Sequence, residues 1–133
     1  MTPTIVIVED DPSDQALILR ALEQAGVGSG VVVMNDGVEV LEWVLAHVPP
    51  RLILLDLDMP RLSGKDVLRR LRRLPNLAGV PVVVLSGSSE PRDIAAMYAL
   101  GANGYVEKPH DSSTFRQRVA EVGRYWGRIN EVA

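Results

Sequence analysis

The stretch LILLDLDMP, residues Leu52 to Pro60, carries four large apolar residues directly into two carboxylates one residue apart, and then stops at a proline. An apolar run without polar alternation is typical of a strand whose two faces are both buried, as in a parallel sheet. Burying a charged group at the end of an apolar strand costs free energy unless the charge is paired or takes part in binding or catalysis. The stretch therefore predicts a central parallel strand that delivers Asp56 to a functional edge of the sheet.

Four other short apolar runs share this character, and amphipathic segments of helical spacing lie between them. Five alternating strand and helix units with right-handed connections predict an α/β class, doubly wound domain. We expect a flavodoxin-like (βα)5 three-layer sandwich whose parallel sheet has the order 2-1-3-4-5. The predicted strands are Thr4 to Val8, Val31 to Met34, Leu52 to Leu55, Val82 to Leu85 and Gly104 to Val106, and the last helix carries a stripe of Phe115, Val119, Val122 and Trp126.

Composition limits the classes of function. The 133 residues are 47% hydrophobic, carry a net charge of −3 and include no cysteine. This size predicts one domain over residues 1–133, and the acidic balance argues against nucleic acid or an anionic membrane as partner. No apolar run is long enough to span a membrane, and the lack of cysteine fits a reducing, cytoplasmic setting. The one basic segment, LRRLRRL at residues 68–74, is predicted to be a solvated helix face.

Two acidic clusters follow neighbouring strands of the predicted sheet. Glu9, Asp10 and Asp11 follow the first strand, and Asp56 follows the third. In this strand order the switch point lies between strands 1 and 3, where ligands bind beyond the carboxyl ends. Carboxylates without histidine or cysteine, and with room for water, suit Mg²⁺ better than Ca²⁺. For Asp11 and Ser13 the alternative role is capping of the helix that follows.

Polar side chains also end the last two strands, with Ser86 after strand 4 and Lys108 after strand 5. Each alone is weak evidence, because a serine there is commonly a turn residue and a lysine is commonly solvated. Together they place a hydroxyl and a cation beside a metal and a carboxylate, which suits phosphoryl transfer. The predicted chemistry is attack of Asp56 on phosphorus, with Mg²⁺ and Lys108 neutralising the phosphoryl oxygens and Ser86 donating to one of them.

The chain resembles the receiver domain of two-component response regulators in four segments: VEDDPSD at 8–14, LLDLDMPRLSG at 54–64, VVVLSGSS at 82–89 and GANGYVEKP at 101–109. The resemblance implies that a sensor histidine kinase phosphorylates Asp56. It implies that Glu9, Asp10, Asp56 and the backbone carbonyl of Asp58 hold Mg²⁺.

The same resemblance implies a switch. Ser86 is its expected hydroxyl, Tyr105 is the aromatic side chain expected to rotate with it, and the peptide between Lys108 and Pro109 is expected to be cis. Asp58 stands where asparagine is common in the family, which adds negative charge beside the acceptor. We expect from this a tighter Mg²⁺ dependence or a shorter-lived phosphate, which Asp58→Asn would test.

A narrower resemblance, over residues 81–109 and the later pair Tyr125-Trp126, is to stand-alone receivers that partner phytochrome-type light-sensing histidine kinases. Only the segment NEVA follows the last predicted helix, so we expect a single receiver domain without an output domain, which signals through a phosphorylation-driven change of the helix 4, strand 5 and helix 5 surface. The narrower resemblance also implies a homodimer through that surface, with Ile94, Tyr98 and Tyr105 as the apolar patch. For Trp126 the alternative is simple extension of the core stripe of the last helix.

Two other functions share some of these residues. The pair Asp56 and Asp58 also matches the DxD motif of haloacid-dehalogenase-type phosphatases, although the late acidic motif of that class is missing after strand 4. A receiver-like module that binds partners without phosphate is the second alternative. We expect no enzyme activity beyond phosphotransfer to Asp56 itself and autodephosphorylation.

Overall fold

The computed structural model describes residues 4–59 and 62–131. The strands are β1 (Ile5–Val8), β2 (Val31–Met34), β3 (Leu52–Asp56), β4 (Val82–Ser86) and β5 (Gly104–Glu107), and the helices are α1 (Pro12–Gln24), α2 (Gly37–Ala46), α3 (Gly64–Leu71), α4 (Pro91–Ala99) and α5 (Ser112–Arg124). All neighbouring strands are parallel, and the sheet has the order β2-β1-β3-β4-β5. The predicted doubly wound fold is confirmed.

Both faces of the sheet are covered, as the uniformly apolar strands require. Alternate strand residues point to opposite layers: Val6 and Val8 of β1 join the layer of α2, α3 and α4, whereas Ile5 and Ile7 join the layer of α1 and α5. Every residue of β3 is buried, including Asp56 at its end. The acceptor predicted from the sequence is therefore the last residue of the central strand.

Side-chain caps fix where four of the helices begin. Asp11 caps α1 by accepting a hydrogen bond from the Ser13 N–H at 2.8 Å, which is the alternative role that the sequence left open for these two residues. Asp36, Ser63 and Asp111 cap α2, α3 and α5 in the same way. These caps satisfy backbone donors that a helix leaves free at its first turn.

The chain after α5 closes over the amino ends of the strands. A π-helical turn, Tyr125–Ile129, follows the helix directly, and Trp126 packs partly buried against the core layer of α1 and α5. Arg51, just before β3, donates from Nη2 to the carbonyl of Asn130 at 2.6 Å. Trp126 thus extends the core stripe of the last helix, as its alternative prediction states.

Arg72 departs from the prediction of a solvated basic face. Arg70 and Arg73 are exposed, but Arg72 is partly buried and its guanidinium links three segments of chain. Helix α3 ends at residue 71, and the acceptors of Arg72 lie in the turn that follows it and in the loop before β5. The acceptors are Leu77 O and Val80 O at 3.0 Å each, Gly101 O at 2.8 Å and Asn103 Oδ1 at 2.6 Å.

Across residues 4–59 and 62–131, no helix has both the length and the apolar character that crossing a membrane demands.

Candidate functional site

Three carboxylates meet beyond the carboxyl ends of β1 and β3. Val8 pairs with Leu55 across the two strands, so Glu9 and Asp56 follow at the same level of the sheet. Glu9, Asp10 and Asp56 each place a carboxylate oxygen within 4.8 Å of the others. Glu9 and Asp56 are buried, whereas Asp10 stays open to solvent. The convergence predicted from the strand order is present.

Lys108 brings a cation into this cluster from the end of β5. Its Nζ lies 3.0 Å from Glu9 Oε1, 3.1 Å from Asp56 Oδ1 and 3.2 Å from Asp14 Oδ2, and only 16% of its side chain is exposed. Lys108 therefore contacts Asp56, beside which the sequence places it, and also Glu9. Asp14, in the first turn of α1, is a partner that the sequence did not reveal, because its reach depends on how α1 is rotated against the sheet.

The carboxylates of this cluster carry more negative charge than Lys108 alone can balance. The pKa of Glu9 is raised to about 8, first because burial penalises its carboxylate and second because Asp56 is adjacent; Lys108 acts in the opposite direction. Burial also works against the charge on Lys108, but Asp56 and Glu9 outweigh it and raise the pKa of Lys108. Burial and the neighbouring carboxylate thus favour a protonated Glu9, while the carboxylates keep Lys108 charged.

The donor set fits a hard divalent cation. Three carboxylate oxygens in mutual reach, one of them solvent-accessible, match the ligands that Mg²⁺ or Mn²⁺ prefers, with water completing the shell. The raised pKa of Glu9 reflects crowded negative charge, which a bound cation would neutralise in place of a proton. The fourth predicted ligand, the backbone carbonyl of Asp58, stays a prediction; the Asp58 N–H donates to Asp56 Oδ1 at 3.1 Å, so this backbone lies against the acceptor.

The loop after β3 is shaped by a glycine. A Cβ on Gly64 would lie 2.6 Å from Leu57 Cα and 2.7 Å from the carbonyl oxygen of Asp56. Only a residue without a side chain lets α3 begin this close to the strand end. The loop also carries a contact that the sequence did not reveal, since the Asp58 carboxylate accepts from the Gly87 N–H at 3.3 Å.

The predicted switch residues lie on either side of the loop between β4 and α4. Ser86 is buried at the end of β4, and its hydroxyl oxygen accepts from the Ser88 N–H at 3.2 Å. The Tyr105 hydroxyl donates to the Ser88 carbonyl at 2.8 Å. Ser86 and Tyr105 are therefore both tied to Ser88, which gives the loop one defined resting position. Their role in switching stays a prediction.

The expected cis peptide is absent. No peptide bond in residues 4–59 and 62–131 is cis, and the bond between Lys108 and Pro109 is trans. The trans form is favoured for X–Pro bonds by about 0.5–1 kcal/mol, and Lys108 reaches its three carboxylates from it. The expectation taken from the family resemblance is wrong on this point.

The predicted dimer patch is partly exposed. Tyr98 on α4 is 48% exposed, and Ile94, one turn earlier on the same helix, is partly buried. Tyr105 lines a neighbouring groove of 440 Å³ between β5 and α5, together with Val106, Val122, Tyr125 and Trp126. The surface has apolar character, and dimerisation through it stays a prediction.

Comparison with known proteins identifies the class to which this site belongs. Residues 5–120 match the family described as the response regulator receiver domain, and the chain belongs to that family. This membership confirms the resemblance drawn from the four sequence segments and favours a signalling domain over a phosphatase.

Individual relatives narrow the comparison. The chain is 33% identical over 127 residues to the probable methanogenesis regulatory protein FilR2 of Methanothrix harundinacea, covering 92% of this chain and 82% of that protein. It resembles the crystal structure of the phosphorylated cyanobacterial phytochrome response regulator RcpA, with a TM-score of 0.91, 34% identity and 99% of each chain covered. It also resembles the Mn²⁺-bound form of the response regulator Rcp1, with a TM-score of 0.90, 27% identity and coverage of 98% of this chain and 99% of that one.

Proposed function

We propose that this protein is a single-domain response regulator in which Asp56 accepts a phosphoryl group from a histidine kinase in a Mg²⁺-dependent reaction. The observation that carries the proposal is the position of Lys108 Nζ, 3.1 Å from Asp56 Oδ1, beside three carboxylates that could hold one cation. The superposition on the phytochrome response regulator RcpA and on the response regulator Rcp1 supports a receiver of the same kind.

In the proposed reaction an ionised oxygen of Asp56 attacks phosphorus. An O–P bond forms as the N–P bond of the phosphohistidine breaks, and the kinase imidazole leaves with the electron pair. Lys108 neutralises charge on the transferred group, and the Ser86 hydroxyl donates to one of its oxygens. Mg²⁺, held by Glu9, Asp10, Asp56 and the Asp58 carbonyl, would supply further positive charge to the same oxygens.

Phosphorylation would then change the surface formed by α4, β5 and α5, which a partner recognises. If Ser86 moves toward the phosphoryl group, the Ser88 contacts that both Ser86 and Tyr105 make must rearrange. Tyr105 also lines the groove beside α5, so its rotation would alter that surface. We propose that a homodimer or a partner reads the change, that the kinase is of the phytochrome type, and that the protein acts in the cytoplasm.

The proposal is tested by incubating the protein with Mg²⁺ and acetyl phosphate and following phosphoprotein on a mobility-shift gel. We expect a hydroxylamine-labile band that requires Mg²⁺ and is lost in Asp56→Asn. The matched control is Asp66→Asn, a carboxylate in the first turn of α3, which should phosphorylate normally. A missing band in folded wild type would favour a phosphate-independent module, and steady release of phosphate from an aryl phosphate would favour a phosphatase.

A further inference from the structure

Helix α2 leaves an apolar stripe uncovered at the β2 edge of the fold. Val38 is 37% exposed, Leu45 is 73% exposed and Val48 is 69% exposed, and these are three of the six large apolar side chains that are exposed in the described residues. Val38 and Leu45 stand at positions i and i+7 of the helix, with the partly buried Leu41 at i+3, and Val48 follows just after the helix ends at Ala46. This is the spacing of a seam that packs against another helix.

The chain segment that contains α2 contributes acidic side chains and no lysine or arginine of its own. Between Arg20 and Arg51 the sequence contains no lysine or arginine, although the whole chain has 14 of them. Glu42 lies four residues after Val38 and three before Leu45, so it borders the apolar stripe directly. The acidic residues of this segment are Glu23, Asp36, Glu39 and Glu42.

The other flank of α2 is also open. A groove of 410 Å³ runs between α2 and the edge strand β2, with Glu39, Glu42 and Trp43 among its lining residues. Trp43 stacks on His47, with ring centroids 4.2 Å apart and planes 9° from parallel, and His47 Nδ1 is 2.8 Å from the Trp43 carbonyl oxygen. The indole is thus held in place, so this flank presents a preformed aromatic wall beside two carboxylates.

We propose that the α2 surface, defined as Val38, Glu39, Glu42, Leu45 and Val48, binds a basic amphipathic helix of a partner protein. The spacing of the apolar residues selects a helix, because it matches helix-on-helix packing. The charges select a basic one, since two copies of this surface would bring the exposed Glu39 and Glu42 of each copy together. The surface lies at the β2 edge, whereas the proposed dimer surface lies at the β5 edge, so both could be occupied at once.

The probe for this proposal is a synthetic capped helix peptide with leucine at heptad spacing and lysine on its other positions, titrated into ¹⁵N-labelled protein. We expect backbone shifts confined to α2 and its flanks, and weaker binding as salt is raised. Leu45→Ser should weaken binding about tenfold, because a buried leucine contact is lost. The double variant Glu39→Gln, Glu42→Gln should weaken binding and reduce its salt dependence.

Controls separate this surface from general attraction to an acidic protein. Ile129→Ser removes an exposed apolar side chain elsewhere and should leave binding unchanged. A peptide with glutamate in place of lysine should not bind. Absence of binding, shifts centred on the Asp10 and Asp56 crevice, or equal binding by Leu45→Ser would overturn the proposal. Self-association that is lost in Leu45→Ser would instead assign the surface to a second copy of the chain.

Discussion

Lys108 divides its hydrogen bonds among three carboxylates, and Asp14 is the most exposed of them, at 27% against 1% for Glu9 and 2% for Asp56. Asp14→Asn should weaken the ion pair with Lys108 in the unphosphorylated state. The ammonium would then interact more strongly with the phosphoryl group that is transferred to Asp56. An exposed ion pair is worth up to about 1 kcal/mol, so we expect acetyl phosphate to react up to about fivefold faster. Stopped-flow fluorescence would measure the rate, and a slower reaction in Asp14→Asn would contradict this assignment.

The pKa of Glu9 gives a pH dependence with a defined sign. Because it is raised from 4.5 in a free side chain to about 8 in the folded protein, the folded state binds a proton more tightly than the unfolded state. The stabilisation is full below about pH 4.5 and is lost as pH rises through 8.

Mg²⁺ must displace the same proton, so its apparent affinity should rise with pH, by up to about tenfold per unit below pH 8. Isothermal titration in two buffers of different ionisation enthalpy would detect the released proton. Glu9→Gln should bind Mg²⁺ more weakly and without this slope; an unchanged slope in that variant would assign the proton to another group.

At the scale of single elements, the start of α3 depends on a glycine and offers a matched pair of substitutions. Gly64→Ala should destabilise the fold by about 1–3 kcal/mol, because the added methyl group would press on the backbone of Asp56 and Leu57. Gly79→Ala meets no atom within 4 Å and should change the free energy of unfolding by less than about 0.5 kcal/mol. Urea denaturation of both variants tests this, and equal effects would show that the loop adjusts.

Arg72 joins the end of α3 to the turn after it and to the loop before β5. Arg72→Ala would remove a donor from the carbonyls of Leu77, Val80 and Gly101, of which Leu77 keeps the Val80 N–H, and we expect a loss of about 2–3 kcal/mol in urea unfolding. Arg70→Ala, from the exposed part of the same basic segment, should stay within about 0.5 kcal/mol of wild type. Equal stabilities of the two variants would mean that water replaces the guanidinium.

The contrast between Arg72 and Asp56 shows what a sequence can and cannot predict in this fold. Asp56 and Lys108 were predictable because parallel strands deliver their carboxyl ends to one edge, and the strand order follows from connection rules. The pairing of Lys108 with Asp14, and of the Asp58 carboxylate with the Gly87 N–H, depends on helix rotation and loop path. Arg72 was misjudged because spacing alone does not show which basic side chain reaches the backbone carbonyls of neighbouring loops.

At the scale of the whole molecule, the two edges of the sheet have different surfaces, and the β5 edge carries the proposed dimer contact. Light scattering over a concentration series, with and without Mg²⁺ and beryllofluoride, should detect a dimer in at least one state. Tyr98→Ser should weaken that dimer about tenfold, whereas Leu45→Ser, at the opposite edge, should not. A protein that stays monomeric in both states would remove the dimer from the proposed function.

The π-helical turn after α5 has a practical consequence. Arg51 anchors it at Asn130, and its Gly127 lies against Ile5 at the beginning of β1. The turn therefore sits beyond the amino ends of the strands, on the far side of the sheet from Asp56. A fluorophore or a sensor-chip tether attached near Asn130 would leave the crevice facing away from the support, so immobilised protein should still exchange metal and phosphodonor freely with the buffer.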